Sequence, residues 1–395
     1  MKNKTHKFLV AMASLAVTGI ILMSCGGQSA GEKASEKKTT STGTSQEATT
    51  TNNGPSATTS IKEANGMPVY GNWKNFTTKD GLPSDKAYAV KIDGDRVLVG
   101  THEGLAVYQD EKWTTYTTKD GLPHNGIVSV DVSPVTGDVW IGTLSGLSRW
   151  SAGKFENFTQ FNSGLPNDLV YNVACDGKDV WVATGGGAGH YDTYKKEWEI
   201  FTEINAPMHE PWTYALCEGD GKIYIAAWGG GIIEYNKATK TFRDYTDPDG
   251  FMEIDLLPDD GPVHDITTAT AYANGILWVS SYFGFCRYDG KNWKGYFDHD
   301  SGLASNFINF VRVNGRIAYA CTDKGFSTTD GTSWVTYKRN ENDNNGVAII
   351  TSGGVKKEIP MTPSIAHSFV INADGKGDVV WVATSKGVSR GEVIR

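Results

Sequence analysis

The chain has 395 residues, of which 39% are hydrophobic and 11% aromatic, so it is long enough to bury one large core. Its formal net charge is −8, and its 37 Lys and Arg residues form no basic cluster, which argues against nucleic acid as a partner. None of the five cysteines is paired in C-x-x-C spacing, so the common zinc, haem and thioredoxin-like motifs are excluded.

The first 24 residues have the pattern of an export signal. Lys2, Lys4 and Lys7 precede an apolar run at 8–22, which is too short to span a membrane as a helix. Cys25 ends this pattern, and the ending resembles a bacterial lipoprotein signal. The resemblance implies removal of residues 1–24 and attachment of lipid to Cys25. An ordinary secretory signal with a chance cysteine is the alternative.

Residues 25–69 form a polar segment rich in Thr, Ser, Gly, Ala, Glu and Lys, without a single aromatic residue. Such a segment cannot bury enough apolar surface to offset the entropy that it would lose on ordering. We therefore predict a lipid-anchored disordered tether at 25–69 and one folded domain at 70–395.

From residue 73 onward the chain repeats one phrase. In its clearest copy, an aromatic segment at Trp113 is followed by Gly121-Leu122-Pro123, by Val139-Trp140-Ile141-Gly142-Thr143 and by Gly146-Leu147. Successive copies begin 40, 42, 43, 44, 51 and 41 residues apart. A period in the forties with four short strand-like runs is typical of a β-propeller blade. The copies begin at Trp73, Trp113, Phe155, Trp198, Phe242, Trp293 and Trp334.

Each unit predicts four strands, named a to d, with strand a after the Gly-Leu-Pro turn and strand d at the aromatic segment. The last unit ends after strand c, whereas 73–77 is a strand d without a blade of its own. Pairing of 73–77 with blade 7 would close the ring and remove exposed edges. We predict an all-β, seven-bladed propeller of four-stranded antiparallel blades; an open or six-bladed ring is the alternative. The predicted blades are 83–118, 121–160, 164–203, 206–246, 261–298, 302–339 and 361–394.

Four cysteines lie within the repeats, and alignment of the units predicts that they pack in the core. Cys175 and Cys217 align with an apolar position that closes strand a, while Cys286 and Cys321 align with small residues. A disulfide between Cys175 and Cys217 in neighbouring blades is the alternative.

The repeat resembles the two-component regulator propeller repeat of periplasmic sensor regions in hybrid histidine kinases. The resemblance rests on Gly81-Leu82-Pro83-Ser84-Asp85, on Gly164-Leu165-Pro166-Asn167-Asp168 and on Trp381-Val382-Ala383-Thr384 with Gly387. It implies an extracytoplasmic propeller that binds a ligand or partner, without kinase or DNA-binding output of its own. We expect a monomer in the cell envelope, at the outer membrane or the periplasmic face, whose partner is an envelope protein, a peptide or a glycan.

Departures from the repeat on the d-to-a and b-to-c loops mark candidate ligand contacts, because both loops lie on one face of a propeller. Trp228 stands on the b-to-c loop of blade 4 among glycines, and Tyr282 occupies the same loop of blade 5. Exposed aromatics beside glycines suit a flat ligand or the side chain of a partner. The alternative is that Trp228 only covers the top of the blade.

Three histidines, His124, His209 and His264, are placed at the start of strand a, where they would bind a ligand, hold a metal or line a solvated channel. Glu210 and Asp265 follow two of them and would be acid/base partners.

This set of histidines and carboxylates favours the alternative function, a metal-dependent lyase resembling streptogramin lyases. A scaffold for envelope proteins is a further alternative. The binding module leads because no Gly-x-Ser-x-Gly, His-Glu-x-x-His or Walker motif is present.

Two acidic loops complete this face. The connection between blades 4 and 5 carries Asp247 and Asp249, and the connection between blades 6 and 7 carries Glu341, Asp343 and Asn345. The second loop resembles the first half of a calcium loop, but Ser352 stands where the twelfth-position glutamate is needed. Solvated loops are favoured, with Ca²⁺ as the alternative; no other cofactor is expected.

Overall fold

A computed structural model describes residues 66–247 and 261–394. Apart from two short 3-10 turns, Thr78–Asp80 and Thr118–Asp120, the regular structure in these ranges is β-strand. Within the same ranges no helix has the length and apolar character needed to cross a membrane. The predicted signal, Cys25 and Asp249 lie outside the described residues.

In the described part of the chain, thirty strands form seven antiparallel sheets, so the predicted seven-bladed propeller is confirmed. In blades 1 to 6 the strands follow one another in chain order from the inner strand a outwards, whereas the outermost strand of blade 7 is the N-terminal β1 (Tyr70–Phe76). Blade 1 consists of β2 (Ala87–Asp93), β3 (Arg96–Thr101), β4 (Gly104–Gln109) and β5 (Lys112–Tyr116), and blade 2 of β6 (Ile127–Val132), β7 (Val139–Thr143), β8 (Gly146–Ser151) and β9 (Lys154–Phe158). Blade 3 consists of β10 (Val170–Asp176), β11 (Asp179–Thr184), β12 (Gly187–Asp192) and β13 (Glu197–Phe201), and blade 4 of β14 (Thr213–Gly219), β15 (Lys222–Ala227), β16 (Gly231–Asn236) and β17 (Thr241–Tyr245). Blade 5 consists of β18 (Thr267–Ala273), β19 (Ile276–Ser281), β20 (Phe285–Tyr288) and β21 (Trp293–Tyr296). Blade 6 consists of β22 (Ile308–Asn314), β23 (Ile317–Thr322), β24 (Gly325–Thr329), β25 (Trp334–Arg339), β26 (Gly346–Ser352) and β27 (Val355–Met361). Blade 7 consists of β28 (Val370–Lys376), β29 (Val379–Thr384) and β30 (Gly387–Val393), completed by β1.

The ring closes through β1, as predicted from the aromatic segment at 73–77, which has no blade of its own. This strand pairs antiparallel with β30, from Tyr70 opposite Val393 to Phe76 opposite Val388. Trp73 lies edge-on to Tyr337 of blade 6, with the ring centroids 5.5 Å apart. The N-terminal strand therefore joins the last blade to the rest of the ring and covers an edge that would otherwise be exposed.

Blade 6 departs from the four-strand pattern, because the predicted loop between blades 6 and 7 contains the hairpin β26–β27. Its turn, Gly353-Gly354, has positive φ at both residues (56° and 78°), as a two-residue hairpin turn with the twist of the flanking strands requires. Ala348 and Ile350 on β26 are buried against the cluster around Tyr337. This hairpin lies outside the repeat and was therefore not predicted from the sequence.

The tryptophans of strands b and d fill the wedges between neighbouring sheets. In the wedge between blades 2 and 3, the ring centroid of Trp140 lies 5.5 Å from that of Phe158 and 6.0 Å from that of Tyr191. The same cluster includes Val173 and Val182. Large flat rings thus join one blade to the next.

The four cysteines of the propeller are free, so the disulfide alternative for Cys175 and Cys217 is wrong. Cys175 pairs across the sheet with Val180, whereas Cys217 pairs with Tyr224, one position earlier in the blade. A shift of one residue turns a side chain to the other face of a sheet. Cys175 therefore packs between blades 2 and 3, and Cys217 packs between blades 4 and 5. Burial raises the pKa of Cys217 to about 12.

Candidate functional site

One hydrogen bond, repeated around the ring, builds the mouth of the central channel. The residue after strand b donates its N–H to the carbonyl of the residue before strand a, as Trp228 does to Trp212 (2.9 Å) and Asp323 to Phe307 (3.2 Å). The bond holds the b-to-c loop of a blade against the start of its inner strand. Residues at these two positions therefore surround the channel at the face that the sequence analysis predicts to bind ligand.

A row of aromatic rings follows this mouth through blades 3 to 6. Ring centroids lie 5.0 Å apart for Tyr171 and Tyr214, 5.4 Å for Tyr214 and Trp228, 6.2 Å for Trp228 and Tyr282, and 4.1 Å for the stacked pair Tyr282 and Phe307. We call these five residues the aromatic mouth. The structure brings Trp228 and Tyr282 together, as predicted, and adds three rings that the sequence analysis missed.

A β-bulge explains why Tyr171 and Tyr214 were missed. The pairing of strand a with strand b skips the second residue of strand a in every blade, which leaves Tyr171 and Tyr214 without a partner across the sheet. Bulges turn a side chain away from the alternation that a strand otherwise follows. An interpretation in which the side chains of strand a strictly alternate between the two faces of the sheet therefore places both tyrosine side chains on the wrong face. Their occurrence at one position in two successive blades is the signal that could have found them.

The hydroxyl groups of the aromatic mouth are sheltered from water. Tyr214 is only 9% exposed, and its hydroxyl has no hydrogen-bond partner among the described residues. Burial raises the pKa of Tyr171 to about 12 and also raises the pKa of Tyr214 and of Tyr282. All three phenols therefore stay protonated at neutral pH and can donate a hydrogen bond to a bound molecule.

Trp228 differs from the expectation of an exposed loop residue, because its side chain is only 2% exposed. Its backbone forms an isolated antiparallel bridge with Ile266 at the entry to blade 5. That bridge draws the b-to-c loop of blade 4 onto the neighbouring blade and encloses the indole between Tyr214 and Tyr282. Tyr282, in contrast, is half-buried.

The predicted histidines occupy a turn position with a structural role. The Nδ1 atoms of His124 and His264 accept the N–H two residues ahead, at 2.8 and 3.0 Å. Ser84, Asn167 and Ser305 use their side-chain oxygens in the same way in other blades. His209 is exposed, and the residue two positions ahead is Pro211, which has no N–H. In 66–247 and 261–394 no three His, Cys, Asp or Glu side chains form a group that could hold a metal ion.

A fourth histidine at this position, His367 in blade 7, was missed by the sequence analysis. Its Nδ1 accepts the N–H of Phe369 at 3.1 Å, and its Nε2 lies 3.5 Å from a carboxylate oxygen of Glu341. Burial lowers the pKa of His367 against the opposing effect of Glu341. Glu341 also accepts the backbone N–H of Ser368 at 3.2 Å. The carboxylate of Glu341, which was predicted as a candidate calcium ligand, therefore connects the loop between β25 and β26 to the loop before β28.

The remaining acidic candidates also make local contacts. Asp265 accepts the N–H of Asp247 at 2.8 Å, as Asp85 does for Thr78 in blade 1 at 2.6 Å. Asp343 accepts the N–H of Asn345 at 2.8 Å. Glu210, which follows His209, is exposed. The predicted acid/base and calcium sites thus gain no support from the side-chain geometry.

The inner strands enclose a second, charged space away from the aromatic mouth, a cavity of about 280 Å³ lined by Asp131, Glu218 and Arg312 among others. Lys91 pairs with Asp131 at 2.7 Å. Asp131 also accepts the N–H of Cys175 in the next blade at 2.8 Å. This carboxylate thus satisfies an N–H on the inner edge of the neighbouring sheet, which is a structural role.

Comparison with protein-family models and with curated proteins gives no match. Among solved structures, the chain is similar to the extracellular domain of the hybrid two component system BT3049 from B. thetaiotaomicron, with a TM-score of 0.62 and 16% identity over 82% of this chain and 42% of that chain. Virginiamycin B lyase from Staphylococcus aureus gives a TM-score of 0.58 and 13% identity over 82% of this chain and 98% of that chain. The chain spans about two fifths of the BT3049 structure. At these identities the likeness shows the fold alone.

Proposed function

We propose that this chain is a lipid-anchored, extracytoplasmic propeller that binds a ligand or partner at the aromatic mouth. The observation that carries the proposal is the buried Tyr214 hydroxyl, which has no hydrogen-bond partner among the described residues and lies within a row of rings at the channel opening. A buried polar group without a partner costs free energy, and a bound molecule that supplies the partner would recover it.

The remainder of the proposal rests on the sequence. The export signal with Cys25 and the polar tether would place the propeller outside the cytoplasm at a membrane surface. The repeat resembles those of extracytoplasmic sensors, and structures described as extracellular domains of two component systems share the fold. A ring of joined blades gives a rigid platform on which loops can hold a binding site.

A thermal-shift screen of the mature chain with glycans, peptides, organic cations and divalent metals would test the binding site. Each compound that stabilises the protein is then measured against Tyr282→Leu, which removes a ring of the aromatic mouth. Tyr194→Leu is the matched control, because Tyr194 is 68% exposed and lies in the c-to-d connection of blade 3. Ligands bound at the mouth lose affinity only in Tyr282→Leu; equal affinity for both variants would place the site elsewhere.

Anchoring is tested separately with Cys25→Ser. The variant should release the protein from the membrane fraction and abolish incorporation of labelled fatty acid, because the acylated residue is lost. Unchanged membrane partition would contradict the anchor and leave the binding site unaffected. Stoichiometric divalent metal that is lost on replacing His124, His209 and His264 would instead support the lyase alternative.

A further inference from the structure

We propose that the ligand of the aromatic mouth is a small organic cation carrying an alkylated ammonium group. The inference rests on the proposed function, since it assigns a chemical class to the same site. It follows from two features, a row of aromatic rings at the mouth and a buried carboxylate oxygen on the equivalent loop of blade 6.

The aromatic faces supply the first feature. Tyr171, Tyr214, Trp228, Tyr282 and Phe307 form a continuous series in which each ring lies within 6.2 Å of the next. The face of an aromatic ring is electron-rich and attracts a cation within about 6 Å of the ring centroid. Trp228 and Tyr214 are buried within this series, so a ligand would reach the half-buried rings of Tyr171, Tyr282 and Phe307. Several aromatic rings around one cation are the arrangement that binds quaternary ammonium groups.

Asp323 supplies the second feature. It follows strand b of blade 6, and is thus at the same position as Tyr282 in blade 5 and Trp228 in blade 4. Its N–H donates to the carbonyl of Phe307, whose ring stacks on Tyr282. The carboxylate therefore belongs to the next position in the same series around the mouth.

The Oδ1 atom of Asp323 is buried and has no hydrogen-bond partner in the described ranges. A buried carboxylate oxygen without a partner is costly, and a cation is the partner that stabilises it most. Other carboxylates of the fold already have such partners: Asp138 pairs with Arg149 at 2.6 Å and Asp192 pairs with Lys178 at 2.5 Å. Asp323, whose side chain is half-buried, forms no such ion pair with another described residue.

The two features together favour a cation over a neutral ligand. Stacked rings alone would suit any flat or apolar group, whereas the buried Oδ1 atom of Asp323 favours a ligand that also carries positive charge. An alkylated ammonium group presents methyl or methylene surface to the rings and positive charge to the carboxylate. The net charge of −8 would also attract cations to the protein.

The test is calorimetric titration of the mature chain with choline and with 3,3-dimethylbutan-1-ol, its neutral carbon isostere. We expect choline to bind and the isostere to bind at least about tenfold more weakly, because only choline carries the charge. Asp323→Asn should reduce choline affinity about tenfold or more. Glu103→Gln is the matched control: it removes one exposed carboxylate from the b-to-c loop of blade 1 and should leave the affinity unchanged.

Tyr282→Leu and Tyr282→Phe provide a second test that does not depend on Asp323. The Phe variant keeps the aromatic face and should bind choline almost as well as the parent, whereas the Leu variant should lose most of the affinity. Equal binding of choline and its isostere, or no binding of choline, would overturn the inference. A neutral ligand from the screen that is lost in Tyr282→Leu would then leave the proposed binding site standing, while no ligand of any class at the mouth would remove both proposals.

Discussion

The indole of Trp228 lies nearly perpendicular to the ring of Tyr282, at an interplanar angle of 74° and a centroid separation of 6.2 Å. The pair joins blades 4 and 5 at the mouth of the channel, where the edge of one ring meets the face of the other. Trp228 is thus both a wall of the candidate site and part of the packing between two blades.

Replacing Trp228 with Ala should lower the free energy of unfolding by about 3–5 kcal/mol, the range for deleting a buried large aromatic side chain. A tryptophan on an exposed loop, as predicted from the sequence, would instead contribute almost nothing to the free energy of unfolding. Urea unfolding of Trp228→Ala beside Trp140→Ala, which removes a buried ring from blade 2, measures the difference. A loss below about 1 kcal/mol for Trp228→Ala would contradict the burial described above.

Ring closure by β1 predicts unequal effects of two N-terminal deletions. Removing residues 70–76 should sharply lower the melting temperature, because Tyr70, Trp73 and Phe76 are buried and β30 loses its partner. Removing 27–65 should leave the melting temperature almost unchanged, since this segment precedes the closing strand. Thermal unfolding of both deletion proteins tests the closure, and similar losses in the two would argue against it.

Much of the fold can be predicted from the sequence, because the repeat reports blade number, strand order and the closing strand. What cannot be predicted depends on positions that the repeat does not determine. A one-residue bulge turns Tyr171 and Tyr214 out of the alternation, and a one-residue shift separates Cys175 from Cys217. At the site, the b-to-c loop could be recognised, but the burial of Trp228 could not, because it depends on a bridge to the next blade.

The hairpin β26–β27 can be tested through the alternation of its buried face. Ile350 is 6% exposed and packs in the cluster around Tyr337, while the neighbouring Ile349 points to the other face of the strand. Ile350→Ala should lower the free energy of unfolding by about 2–4 kcal/mol, whereas Ile349→Ala should cost about half of that or less. Comparable losses measured by urea unfolding would contradict strand β26.

Asp192 at the c-to-d turn of blade 3 predicts how the stability depends on pH. The hydrogen bond from Lys178, followed by those from the backbone N–H groups of Lys195 and Tyr194, lowers the pKa of Asp192 to about 2. In the unfolded chain its pKa is close to 3.9. Because the folded pKa is the lower one, the unfolded chain takes up the proton first as the pH falls. The stability from this contact is therefore complete above about pH 5 and is lost as the pH falls towards 2.

Asp192→Asn should flatten this acid-sensitive part of the stability curve without disturbing the turn. Blade 4 already contains the neutral version, in which Asn236 accepts the N–H groups of Ala238 and Thr239 at 3.0 Å. Asn236→Asp is the comparison variant: Gly221 stands where blade 3 has Lys178, and Lys222, the residue opposite position 236, is already paired with Glu234 at 2.6 Å. Urea unfolding at pH 7, 5 and 3 compares the variants with the parent protein. A parent-like fall in stability between pH 5 and pH 3 in Asp192→Asn would show that other carboxylates control unfolding in acid.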